Sequence, residues 1–175
     1  MSSAENATTV VVPQTGHYTI DPARTTVRFD TRHLFGLGPV TGTFAVRGGT
    51  VDVADPATES TVAVVVDSAS FDTGSKGRDK QVRSAKFLDV ESHPVIRFEG
   101  QSARKSADGW QIAGTLTVQA VTRPLDLEIQ QLTVAGSELR ARVTCRIDRK
   151  EYGITAMPGM AGRHLTLTVE AVATS

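Results

Sequence analysis

From Tyr18 onward, apolar and polar side chains alternate with a period of two in run after run: "TVRFDTRHL", "GTFAVRGGTVDV", "STVAVVVD", "PVIRFEGQ", "GWQIAGTLTV", "PLDLEIQQL", "LRARVTCRI" and "HLTLTVEAV", with turn residues between them. A period of two is the pleat of a β-strand, so the pattern predicts roughly eight strands. One face collects Val27 and Phe29, Phe44 and Val46, Ile96 and Phe98, Trp110, Ile112, Leu116 and Val118, Leu125, Leu127 and Ile129, and Leu165, Leu167 and Val169. The other collects Arg28, Asp30, Arg32, Arg97, Glu99, Asp126, Glu128, Arg140, Arg142 and Arg146. One dry face and one wet face mark antiparallel sheet. Pro94 and Pro124 read as first residues of their strands, where a missing N–H is tolerated.

One-faced strands bury their dry faces either as two stacked sheets or as one sheet closed on itself. Closure at about eight strands leaves an interior that side chains fill or that stays open for one small ligand. The alternation alone leaves these outcomes open.

The stretch "KGRDKQVRSAKFLDV", Lys76 to Val90, breaks the period. Ser75 is placed to cap, Asp79 falls in a first turn and Lys86 near the end, so a short helix near residues 76–86 is predicted. Asp79 and Arg83 are spaced as an acid-first i,i+4 pair. Such a helix between two strands can lie across an open barrel end, with Val82 and Phe87 inward and basic groups at the rim.

At 175 residues and 39% hydrophobic content, the chain suits one domain with a sizeable core. Residues 1–16 are small, polar and aperiodic and read as a flexible N-terminal tail, leaving 17–175 as the domain. Nineteen basic and nineteen acidic residues cancel, which argues against a nucleic-acid partner. The single cysteine, Cys145, excludes an internal disulfide. The N-terminal stretch has neither a basic n-region nor a long apolar core, and no run has the length of a membrane span. The expectation is a cytoplasmic protein without stable membrane insertion.

Candidate chemistry is sparse. His17, His33, His93 and His164 are scattered, with no HExxH or paired Cys, so no metal is expected. Ser68, Ser70 and Asp72 in "VDSASFDTG" offer a nucleophile or acid on paper, and Asp-Thr-Gly is also the triplet of aspartic proteases. Those proteases need two carboxylates sharing a proton, and there is one copy here. Asp72, Thr73 and Gly74 read more simply as the turn that launches the insert. No G-x-S-x-G, phosphate loop or dinucleotide fingerprint occurs, and no enzyme is expected.

The thirty residues "FDTGSKGRDKQVRSAKFLDVESHPVIRFEG", together with "YTIDPARTTVRFDTRHL", "VTGTFAVRGG", "GTLTVQAVTRPLDL" and "IDRKEYGI" in the same order, resemble the YceI-like family of lipocalin-like polyisoprenoid-binding proteins. The likeness runs from Tyr18 to Val172, with Ala120 where the family usually has Gly. It implies an all-β, eight-stranded antiparallel lipocalin-like barrel around a channel that takes an amphiphilic isoprenoid, a polyprenyl phosphate or an isoprenoid quinone, with no other cofactor. The channel residues it implies are Phe29, Phe44, Val46, Phe71, Val82, Phe87, Phe98, Leu116 and Leu127. Arg78, Lys80 and Arg83, and Arg149 with Tyr152, are candidates for the polar head, against the plainer reading of the first three as a solvated helix face and of Arg149 and Tyr152 as part of a strand-ending turn. A solid barrel acting as a dimerising or protein-interaction module, with a second copy as partner, is the alternative.

Overall fold

The computed structural model describes residues 9–31, 38–107, 109–156 and 162–175. Its strands are β1 (Thr9–Val10), β2 (Gly16–Ile20), β3 (Thr26–Thr31), β4 (Val40–Val53), β5 (Thr61–Asp72), β6 (Val95–Ser106), β7 (Gly109–Val118), β8 (Val121–Ala135), β9 (Glu138–Asp148) and β10 (His164–Thr174), with one helix, α1 (Lys76–Arg83). Strands β3 to β10 pair antiparallel with their sequence neighbours, and β10 returns to β3, which closes the ring. β2 sits between β10 and β4 beyond a one-turn 3-10 helix at Pro22–Arg24 and continues the place of β3. Eight places around one barrel result, which matches the roughly eight strands read from the alternation and the closed barrel that the family resemblance implies. Arg32 and His33 lie outside the described residues.

Three departures from simple alternation matter to the interior. Between Asp72, paired with Thr43, and Asp67, paired with Ala45, β5 carries extra residues. Ser70 Oγ accepts from Ala45 N at 2.7 Å and donates to Asp67 O at 2.5 Å, while Ser68 N donates to Pro94 O. Both serines thus hold a bulge together. In β6 a bulge between Gly100 and Ser102 switches the inward set from even to odd numbers, and in β8 one between Ile129 and Gln131 passes the inward role to Leu132. Pro124, expected at a strand start, lies inside β8 opposite Thr115, above the level where β9 begins to pair.

Thr9 and Val10 join the sheet. Below the last β7 pair at Trp110 and Ile129, β8 has a free edge, and β1 fills it in parallel with Thr9 at Gln131 and Val10 at Leu132. The next segment, β2, lies across the ring between β10 and β4. Residues 11–15 therefore cross this end of the barrel as a strap, held by Val11 N to Leu132 O and by Tyr18 Oη to Gln14 O.

The core divides between the ends. Phe29, Val40, Phe71, Val82, Phe87, Leu88, Phe98 and Tyr152 are among the buried residues at the helix end; Tyr18, Ile20, Val27, Val46, Val53, Leu139 and Ala173 pack at the strap end. Phe29, fully buried, stacks on Phe71 at 5.1 Å and tilts against Phe44 at 5.7 Å. Its ring passes so close to Gly42 that any Cβ there would press into it and lie 2.7 Å from the Asp72 carbonyl. Gly42→Ala is expected to cost about 1–3 kcal/mol through overpacking, read as a lowered midpoint in thermal unfolding followed by circular dichroism.

Candidate ligand-binding hollow

Inside the ring lies a cavity of about 320 Å³. It falls at the lower end of the roughly 300–1,000 Å³ of small-molecule sites and exceeds twice the roughly 150 Å³ of an engineered apolar cavity that admits benzene. The wall is almost entirely hydrocarbon. Phe29, Phe44, Phe71, Val82, Phe87, Phe98, Leu116, Leu127 and Arg149 from the sequence reading all line it. Val46, Arg78 and Arg83 do not: Val46 is spent in the packed strap-end cluster, and the two arginines serve the insert itself. The wall also takes Val10, Val12 and Pro13 from the strap, with Cys145, Tyr152 and Ile154. The run "TVVVP" is a continuous apolar stretch of three valines, too short to separate from the tail.

The insert begins as a turn. Gly74, at φ +81°, donates its N–H to Asp72 Oδ1 at 2.8 Å. The buried Asp79 carboxylate accepts from Thr73 N at 3.1 Å and Thr73 Oγ1 at 2.6 Å, rather than pairing with Arg83 as the spacing suggested. Arg83 instead donates to Phe71 O at 2.5 Å and Arg78 to Thr73 Oγ1 at 3.4 Å. The N-cap position is Ser75, although its side chain makes no capping bond. These bonds fold the segment back so that Val82, Phe87 and Leu88, all buried, face the hollow. Gln119 Nε2 donates to the Phe87 carbonyl from the β7–β8 turn. That turn places its positive φ on Gln119, so Ala120 is accommodated without strain. The insert lies across the barrel end as expected, and it contributes Val82, Phe87 and Leu88 to the wall there.

Beside it, the chain leaving β9 makes a single 3-10 turn, Arg149–Tyr152. Asp148 caps it by accepting from Lys150 N at 3.0 Å, and Gly153, at φ +77°, ends it. The Arg163 guanidinium beside Asp148 holds that carboxyl below the usual range. Side chains three apart eclipse in a 3-10 turn, so Arg149 and Tyr152 point the same way, into the barrel. Both are buried. Arg149 is the one charged residue in the lining, and it donates to Gly162 O and Ile154 O, each at 2.9 Å, with Phe87 beneath its guanidinium at 5.8 Å. Burial lowers its pKa against the opposing pull of Asp148. The charge is thus matched by backbone, and the space beside it remains apolar.

Burial pushes the Cys145 thiol up to about 12 and the Tyr152 phenol, with Glu151 adding to it, also to about 12. Both groups ionise more easily in the unfolded chain, from ordinary values of 9.0 and 10.0. Their contribution is therefore whole below about pH 9 and is lost as pH climbs towards about 12. The thermal midpoint is expected to stay level from neutrality to about pH 9 and then fall, and Cys145→Ala should remove the earlier part of the fall. Among the described residues, no group of three or more His, Cys, Asp or Glu could hold a metal ion, and no helix is long and apolar enough to cross a membrane.

A closed eight-stranded antiparallel ring with charged outer faces and an apolar interior is a lipocalin-like β-barrel. Residues 18–173 match the YceI-like domain, and the chain belongs to that family. It is 33% identical over 150 residues to a UPF0312 protein of Serratia proteamaculans, covering 82% of this chain and 77% of the relative. To a UPF0312 protein of Yersinia pestis it is 35% identical over 156 residues, covering 83% and 80%. Among solved structures, Burkholderia cenocepacia BcnA superposes with a TM-score of 0.75 at 19% identity, over 89% of this chain and 99% of that one. A polyisoprenoid binding domain from Saccharophagus degradans superposes with a TM-score of 0.68 at 12% identity, over 93% and 99%. At these identities the two structures speak for the fold.

Proposed function

We propose that this protein binds an amphiphilic isoprenoid lipid, with the hydrocarbon tail in the hollow and the polar head outside, and that it carries, stores or sequesters that lipid without chemical change. The observation that carries this reading is a cavity walled by hydrocarbon whose single charged residue already gives hydrogen bonds to the backbone. The name of the Saccharophagus degradans domain points the same way. Each buried CH₂ contributes ~0.8 kcal/mol, and micromolar affinity needs about 8 kcal/mol. A few isoprene units therefore suffice, even against several kcal/mol of association cost. Recognition by the tail lets a polyprenyl phosphate and an isoprenoid quinone compete for one hollow. A single cysteine, Cys145, with no disulfide to form within the chain, fits a carrier in the reducing cytoplasm. The solid-barrel alternative requires a filled interior, whereas a hollow of about 320 Å³ supports the lipid reading.

Solvent extraction of the purified protein followed by lipid mass spectrometry tests this. A prenyl lipid or quinone in stoichiometric amount is expected. A ligand-free protein that also refuses farnesol and geranylgeraniol in calorimetric titration overturns it.

A further inference from the structure

The two ends of the barrel differ in how the hollow meets solvent. At the helix end the apolar lining residues of the insert, Val82, Phe87 and Leu88, are buried. At the strap end Val12 lines the hollow and is itself 50% exposed, the one lining residue classed as exposed among those described. Hydrocarbon wall and surface meet there. The neighbouring Val11 is 51% exposed, and these two valines are the exposed large hydrophobic residues of the described chain. Alternation turns Val10 and Val12 towards the hollow and Val11 away from it.

The same end carries Trp110 in the wall, directly paired across the strands with exposed Lys105. Directly opposed residues of an antiparallel pair share a face, so Lys105 stands on the inward side at the rim. An aromatic ring with a polar edge, a lysine beside it and apolar side chains projecting past them form the set that settles at a lipid–water boundary.

We propose that the strap end, Val11 and Val12 with Trp110 and Lys105, docks on a lipid bilayer surface and is the portal through which the tail passes between membrane and hollow. This rests on the lipid-binding reading above. The bilayer is the occupant because the exposed valines are continuous with a hydrocarbon-lined interior: a tail leaving a membrane there remains against apolar surface throughout. An anionic surface suits Lys105, while the insert offers a membrane its polar face, with Val82, Phe87 and Leu88 buried beneath.

The test is transfer of fluorescently tagged geranylgeraniol from phosphatidylcholine–phosphatidylglycerol vesicles to the full chain, alongside calorimetric binding of farnesol in solution. Val11 is outside the wall, so Val11→Asp is expected to leave farnesol affinity unchanged and to slow vesicle transfer about tenfold, because an aspartate is costly at membrane depth. Lys80→Glu, on the insert, is expected to transfer at the wild-type rate. Wild-type transfer by Val11→Asp, loss of farnesol affinity in that variant, or slowing by Lys80→Glu with Val11→Asp unaffected would each overturn the portal. If the wild type itself fails to bind farnesol, the lipid-binding reading falls and the portal with it.

Discussion

Leu127→Arg is expected to abolish uptake of farnesol and geranylgeraniol while leaving the barrel folded. Leu127 projects from β8 into the hollow opposite Ile112, and it is only partly buried because the space in front of it is empty. An arginine there finds room and can keep water about its head, so the fold tolerates it. A tail cannot: it would have to displace that water and lie against an unpaired charge, a cost of several kcal/mol, or at least about a hundredfold in affinity. Titration calorimetry with a matching circular-dichroism spectrum checks it, and wild-type affinity in a folded variant would mean that the wall is misassigned. Phe44→Arg makes the contrast. Phe44 packs against Phe29 and Phe71 and touches both core clusters, so the same charge at that site is expected to unfold the protein.

Arg149→Ala is expected to be the most destabilising change at the helix end. Removing the guanidinium strands the carbonyls of Ile154 and Gly162 and uncovers the Phe87 ring. A buried acceptor left without a donor costs about 1–3 kcal/mol, and with the Ile154 carbonyl buried and the Gly162 carbonyl partly so the loss is about 2–5 kcal/mol in all. For a chain of this size that lowers the thermal midpoint by roughly 10 °C. Arg149→Lys is expected to recover little, since one ammonium does not reproduce the planar fork that reaches both carbonyls. Differential scanning calorimetry of both variants checks this, and near-wild-type midpoints would show that Arg149 is free to serve a ligand head instead.

Much of this arrangement was legible in the order of the side chains. Period-two alternation placed Phe29, Leu116 and Leu127 on the inner face, because a pleated strand cannot put them elsewhere. The amphipathic insert announced Val82 and Phe87 as the side chains turned inward. What alternation could not carry was anything that changes parity or depends on a partner distant in sequence. The bulge after Gly100 brings Ala103 and Lys105 to the inner side, and no local pattern marks it. Asp79 looked like a helix-face partner for Arg83, yet the Asp72–Gly74 turn offers it the Thr73 N–H and hydroxyl, leaving Arg83 to the Phe71 carbonyl. The strap escaped notice because its place depends on the edge of β8 that β7 leaves free, over a hundred residues away in the chain.

Trp110, the only tryptophan in the sequence, lines the hollow and makes the central claim directly measurable. Titration with geranylgeraniol, followed by tryptophan emission, is predicted to give a saturable blue shift at one equivalent per chain, as hydrocarbon replaces water beside the indole. Emission that stays unchanged to the solubility limit of the prenol would contradict a hollow that takes an isoprenoid tail.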